Sequence, residues 1–172
     1  KPKGTVSLDQ NVTFRLAHPG DAVEISRMLK ALADHLGVGD VFVTGPDLVQ
    51  RHGFGDNALF QSMIAEQGAQ AVGLALFFPH FSTYRGQPGA YVQDLWVDPR
   101  LRGQEVGAKL LARVARHAEA EWQAGYMALA VHIDNRDALR FYDRLGFQEL
   151  TTDRPYVIDK EAFQQLRRLH HG

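Results

Sequence analysis

The sequence predicts a single mixed α/β domain spanning residues 1–172. Three observations lead there. Strand-like and helix-like stretches interleave along the chain. The longest helical stretch follows a strand directly through a glycine-containing loop. With 172 residues of which 45% are hydrophobic, the chain can bury one core but is cramped for two.

The elements follow in order. Residues 12–17, Val-Thr-Phe-Arg-Leu-Ala, alternate apolar and polar and read as a strand. Pro19-Gly20-Asp21 opens a helix, and Ile25, Met28, Leu29 and Leu32 recur on one face of it until Leu36-Gly37-Val38-Gly39 ends it. A shorter helix starts at Thr44-Gly45-Pro46-Asp47 and runs to about His52, before the turn Gly53-Phe54-Gly55-Asp56. Residues 58–66 and 69–78 form a hairpin around Gln67-Gly68. After the turn at 86–89, residues 90–97 form the next strand, closed by Asp98-Pro99. The long helix is expected from Arg102 to Ala124, with Val106, Leu110, Leu111, Val114 and Ala118 inward and Gly125 as its C-terminal cap. A strand at 126–132, a helix from Asn135 to Leu145 capped by Gly146, short strands at 147–150 and 156–158, and a helix at 159–169 complete the series.

Composition excludes several classes. The formal net charge is -1 and charged residues make up 23%, which does not describe a nucleic-acid-binding surface. The absence of cysteine removes disulfides, thiolate nucleophiles and cysteine-ligated zinc. His117, His132, His170 and His171 lack the ligand spacing of a zinc site, so no metal is expected. No apolar run is long enough for a bilayer and no apolar stretch follows Lys1-Pro2-Lys3-Gly4, so the expected location is the cytoplasm, away from membranes.

The most informative segment runs from Val97 to Leu110, where a strand ends, a loop containing Gly103 follows, and the long helix begins. A helix N-terminus carries unpaired N–H groups and positive dipole character, and small residues let an anion approach them. Gly103 and Gly107 could equally serve turn geometry and helix packing. A nucleotide P-loop is excluded: it needs five steps between its glycines and Lys directly after the second, whereas Gly103 and Gly107 are four apart and Lys109 is not adjacent.

Val97-x-Pro99, Arg102-Gly103, Gly107 and Leu110-Leu111 together resemble motif A of the GNAT acetyltransferases. Asn135-x-x-Ala138-x-x-Phe141-Tyr142-x-x-Leu145-Gly146-Phe147 resembles their motif B, in the right order and at the right spacing. Within that superfamily the chain looks most like the diamine (spermidine/spermine) N-acetyltransferase group. The signatures are Asp47-Leu48 with Gly53-Phe54-Gly55, Phe77-Phe78 with Ser82-Thr83, Gln93-Asp94-Leu95, and Leu129-Ala130-Val131.

The resemblance implies the GNAT fold, a mostly antiparallel twisted sheet of six to seven strands flanked by four to five helices. It implies transfer of an acetyl group from acetyl-CoA to a primary amine of a small molecule: a diamine, a polyamine or a lysine-like amine. The alternatives are a protein or peptide N-acetyltransferase, and a catalytically weak acyl-CoA-binding regulatory domain. Members of the group are often homodimers, and Phe42-Val43 with the C-terminal helix could supply the contact.

It also implies roles. The strand edge at Leu95, Trp96 and Val97 should pair with the pantetheine arm, with the Val97 N–H as oxyanion donor. Arg102, Gly103, Gln104, Glu105, Val106, Gly107 and Ala108 should surround the pyrophosphate, and Lys109 stands nearby. Asn135 and Ala138 belong to the cofactor set. Tyr142 is the candidate general acid, since a phenol of pKa ~10 is protonated at neutral pH; from the residues alone it could equally be a core aromatic beside Phe141. Asp94 is the candidate base, with His80 and His132 as alternatives. Gln93, Asp94 and His35 are candidates for the acceptor site. Gln93 and Asp94 are expected to face opposite sides of the strand, so that only one points into the cleft.

This chain departs from the family pattern at two places. Glu105 stands where the phosphate loop usually has glycine, and its side chain is expected to point to solvent. The acceptor region is less acidic than a polycation site requires: Gln93 replaces the usual Glu, and Arg154 stands where a further acidic residue is expected.

Overall fold

The computed structural model describes residues 11–169. The chain divides into two compact units, the first ending at Ala130 and the second beginning at Val131.

The first unit is built on a five-stranded sheet in the order β1 (Val12–Leu16), β2 (Gln61–Gln67), β3 (Gln70–Ser82), β4 (Gln87–Val97), β5 (Met127–Leu129). The first four strands are antiparallel neighbours, while β5 runs parallel to β4. The hairpin expected around Gly68 is present, and its second strand extends to Ser82.

Helices cover both faces. On one lie α1 (Ala22–His35) and α2 (Pro46–Gly53), whose Ile25, Met28, Leu29 and Val49 pack with Ile64, Leu74, Leu76 and Trp96 of the sheet. On the other lies α3 (Val106–Trp122), which buries Val106, Leu110, Leu111, Val114 and Ala118. The close approach of α3 depends on Gly73, where an added Cβ would sit 3.1 Å from Leu110 Cδ1, 3.2 Å from Ala65 Cβ and 3.3 Å from the Trp96 carbonyl. Arg15 ties β1 to the start of α1, donating to Asp21 at 2.7 and 2.9 Å and to Glu66 at 2.7 Å. The paired guanidinium holds the Asp21 carboxyl below its ordinary range.

The second unit contains α4 (Arg136–Arg144) and α5 (Lys160–Arg168). Asn135 caps α4, its side-chain oxygen accepting from the Ala138 N–H at 3.2 Å, and Gly146 follows the helix at φ 93°.

Four expectations are corrected. The long helix begins at Val106 rather than Arg102, because residues 102–105 are consumed by a turn. It ends on Gln123 in the left-handed conformation (φ 57°), so Gly125 is not its cap. The fifth strand is cut to three residues. Segments 147–150 and 156–158 form no strand among the described residues, so the sheet has five strands rather than six or seven. The first run is half polar (Phe147-Gln148-Glu149-Leu150), neither run has a ladder partner among the described residues, and Pro155 removes a backbone donor beside the second. Tyr156 and Val157 consequently stand exposed.

Candidate active site

The site in the first unit begins where β4 and β5 part. Their pairing covers only Ala90–Val92 with Met127–Leu129. From Gln93 to Val97 the β4 edge on that side has no strand beside it among the described residues, while the opposite edge continues along β3 to Gly73.

The direction of the free backbone groups follows from the ladder. The Asp98 N–H donates to the Val72 carbonyl at 2.8 Å. Antiparallel bonding alternates every residue, so Trp96, opposite Leu74, turns its N–H and C=O toward β3. Leu95 and Val97 then turn theirs to the open edge. Trp96 itself offers that edge nothing: its ring is buried with α1, under the Arg27 guanidinium 5.8 Å away.

The parting coincides with a β-bulge. Leu76 pairs with Asp94, but Phe77 pairs with Val92, leaving Gln93 as the extra residue. Phe77 packs against His117 and Trp122 of α3, whereas Leu76 belongs to the α1 side. The strand thus changes face at the bulge, with Val92 on the α3 side and Asp94, opposite Leu76, on the α1 side. Gln93 is exposed. Asp94 is partly covered, and burial pushes its carboxyl above the ordinary value.

Below the strand end lies the loop that leads into α3. Pro99–Leu101 forms a single 3-10 turn, capped by Asp98, which accepts from the Arg100 N–H at 2.9 Å. The Arg100 guanidinium closes on the same carboxylate, Nε at 3.0 Å and Nη2 at 2.6 Å, and holds the Asp98 carboxyl down at about 2. This clasp was not read from the sequence. Its signal is an Asp placed two residues before Arg around a proline, a capping arrangement. Leu101 is buried and pins the turn.

Gly103 then adopts φ 81° and Glu105 adopts φ 61°, ψ 12°. Such alternation of left-handed residues gathers backbone N–H groups into an anion-binding concavity. The N–H groups of Val106, Gly107 and Ala108, in the first turn of α3, have no intrahelical acceptor. The Glu105 side chain caps none of them and is exposed to solvent. Gln104 donates instead to the Leu101 carbonyl at 3.3 Å. Nothing lies within 4 Å of the position a Gly103 Cβ would occupy. This donor set, free N–H groups beside Arg102 and Lys109, suits a phosphorylated ligand.

In the second unit, Tyr142 lies on α4 between Phe141 and Phe147, with ring centroids 5.0 and 5.3 Å away. Burial pushes its phenol up to about 12. Asn135 and Ala138 are joined to each other by the helix cap, which leaves the Asn135 amide nitrogen as the group of that pair free for a ligand. His132 is exposed beside Asp134. In the first unit, His35 ends α1 exposed to solvent, and His80 bonds the Tyr126 hydroxyl through Nδ1. Among the described residues no three His, Cys, Asp or Glu side chains gather to hold a metal, and no helix is long and apolar enough to cross a membrane.

Comparison with known proteins agrees with this geometry. Residues 28–147 match the acetyltransferase (GNAT) family. The chain is 32% identical over 167 residues to a thialysine N-epsilon-acetyltransferase of Sus scrofa, covering 91% of this chain and 97% of that protein. It is 32% identical over 161 residues to the spermidine/spermine N(1)-acetyltransferase-like protein 1 of Homo sapiens, covering 89% of this chain and 23% of that longer protein. An integron cassette protein from the mobile metagenome of V. cholerae shares the fold, with a TM-score of 0.77 at 18% identity over 91% of this chain and 98% of its own. The parted strands, the loop into α3 and these matches lead to one conclusion: the chain belongs to the GNAT acetyltransferase family.

Proposed function

We propose that the protein transfers the acetyl group of acetyl-CoA to the primary amine of a small molecule, a diamine, polyamine or lysine-like amine. The observation that carries this reading is the open edge of β4, where Leu95 and Val97 turn their backbone groups outward above a loop of free N–H donors. An extended amide-bearing arm pairs with such an edge as a strand would, while its diphosphate meets the loop. The names of the relatives support an amine acceptor.

In this scheme the amine, delivered as ammonium, first loses a proton. Asp94 takes it through water, a role supported by its raised pKa, which makes it a better base than a solvated aspartate. The amine nitrogen then attacks the thioester carbonyl carbon directly. The carbon–nitrogen bond forms, and negative charge develops on the carbonyl oxygen, where the Val97 N–H stabilises it. The carbon–sulfur bond breaks as the tetrahedral intermediate collapses. Tyr142 supplies the proton to the departing sulfur and recovers one from the product nitrogen. Gln93, Asp94 and His35 contact the acceptor. With Gln93 neutral, the site favours amines of low charge over long polycations. The protein works in the cytoplasm and as a homodimer.

The test is an acetyl-CoA assay against a panel: a diamine, spermidine, lysine, a thioether analogue of lysine, and a peptide with a free N-terminus. Turnover of one or more small amines well above the peptide is expected. Transfer to the peptide alone would replace the small-molecule reading. A second reading, an acyl-CoA-binding domain with weak catalysis, draws on the left-handed Glu105 in the phosphate loop. Tight binding without transfer to any amine would favour it.

A further inference from the structure

Two arginines flank the anion-binding turn, and they are engaged differently. Arg100 is committed to Asp98 through its backbone N–H, Nε and Nη2. Arg102 is exposed and makes a single bond, its Nε donating to the Val97 carbonyl at 3.3 Å. That distance is long beside the usual ~2.9–3.0 Å of an N–H···O bond, so the contact is weak and exchangeable. The acceptor is the notable part. Val97 carries the last outward-facing carbonyl on the open edge of β4, the same group that an incoming amide arm would use.

We propose that Arg102 selects the acyl donor. Its side chain covers the Val97 carbonyl and yields it only when a diphosphate on the loop draws the guanidinium away. The inference rests on the acetyl-CoA reading above and extends it to donor choice. The forces have the required order. A guanidinium bonds a diphosphate through bidentate contacts in which both partners are ionised, and these are stronger than its single long bond to a neutral carbonyl. A thioester arm ending in a diphosphate supplies its own means of freeing the edge. An arm without one must displace Arg102 with nothing to offer it in exchange. The strand edge therefore discriminates between donors by a group some distance from the thioester. This is a coupling between two halves of one ligand, carried by one side chain.

The experiment is a pair of binding titrations, calorimetry for acetyl-CoA and amide NMR shifts for S-acetylpantetheine, on the parent protein, Arg102→Ala and Arg102→Met. Arg102 is exposed, and unchanged spectra away from the loop serve as the folding control. Opposite signs are expected. Acetyl-CoA affinity falls about 10- to 100-fold in both variants as charged hydrogen bonds are lost. S-acetylpantetheine affinity rises about 2- to 5-fold as the Val97 carbonyl is uncovered. A purely structural role for Arg102 would weaken both ligands together. Weaker or unchanged S-acetylpantetheine binding in the variants overturns the selector role and leaves the donor assignment intact. Failure of the parent protein to bind acetyl-CoA overturns both.

Discussion

Glu105 gives the account its sharpest physical test. It is a side-chain-bearing residue at φ 61°, where an L-residue is strained by about 1–2 kcal/mol. Replacing it with glycine removes that strain but adds about 0.5–1 kcal/mol of unfolded-state entropy. It also removes a carboxylate from the positive end of α3, a loss that glutamine shares. The comparison of Glu105→Gly with Glu105→Gln therefore cancels the charge and isolates the backbone. Taking midpoints, glycine should be the more stable by about 0.7 kcal/mol. For a chain of this size that is a difference of roughly 1–3 °C in Tm.

Binding separates the other component. A carboxylate ~7 Å from a doubly charged diphosphate opposes it by about 1.2 kcal/mol in water, and physiological salt reduces this by about half. Both variants should therefore bind acetyl-CoA about 2- to 5-fold more tightly than the parent. Scanning calorimetry and isothermal titration give the two quantities. A glutamine variant as stable as the glycine variant would refute the strain argument. Unchanged affinity in both would refute the repulsion.

Other outcomes follow from the site. Tyr142→Phe should lower kcat about 10²- to 10⁴-fold while acetyl-CoA affinity stays within a factor of two; equal turnover would remove Tyr142 from the proton transfer. Tyr142 must be protonated to donate, and its pKa is about 12, so its loss of function should appear only as pH rises toward that value, well above pH 10. Asp94 must be ionised to act as base, and burial raises its pKa, so kcat/KM should fall on the acid side above the ordinary carboxylate range of ~3.9. Asp94→Asn should abolish that limb together with most activity; a limb that persists in the variant assigns the base elsewhere. The Ser62 hydroxyl is buried with no hydrogen-bond partner, so Ser62→Ala should be neutral or stabilising by up to about 1 kcal/mol in urea unfolding. A loss of more than 1 kcal/mol would show that the hydroxyl is satisfied.

The sequence made the phosphate loop and α3 legible for a physical reason. A strand, a glycine turn and an apolar stripe from Val106 to Ala118 each leave a local trace. α3 starts four residues later than the sequence suggests because Arg102, Gln104 and Glu105 favour helix by composition, while the turn needs two left-handed positions. Glu105 hides one of them, where glycine would have announced it. The bulge at Gln93 left no trace at all. Helices cover both faces of this sheet, so a strand that changes face keeps burying apolar residues, as Val92 and Trp96 do. Simple alternation therefore does not reveal that Val92 and Asp94, two positions apart, lie on opposite faces. In the second unit, Phe147, Tyr156, Val157 and Ile158 have strand-like composition, but composition does not supply a ladder partner. The capping role of Asn135 was accessible, since Asn before a helical run is a common start signal.

The central claim is that the open β4 edge and the loop into α3 together hold acetyl-CoA. Calorimetric titration of the protein with acetyl-CoA tests it most directly. The account predicts saturable one-to-one binding in the micromolar range, and the absence of binding at millimolar ligand would contradict it.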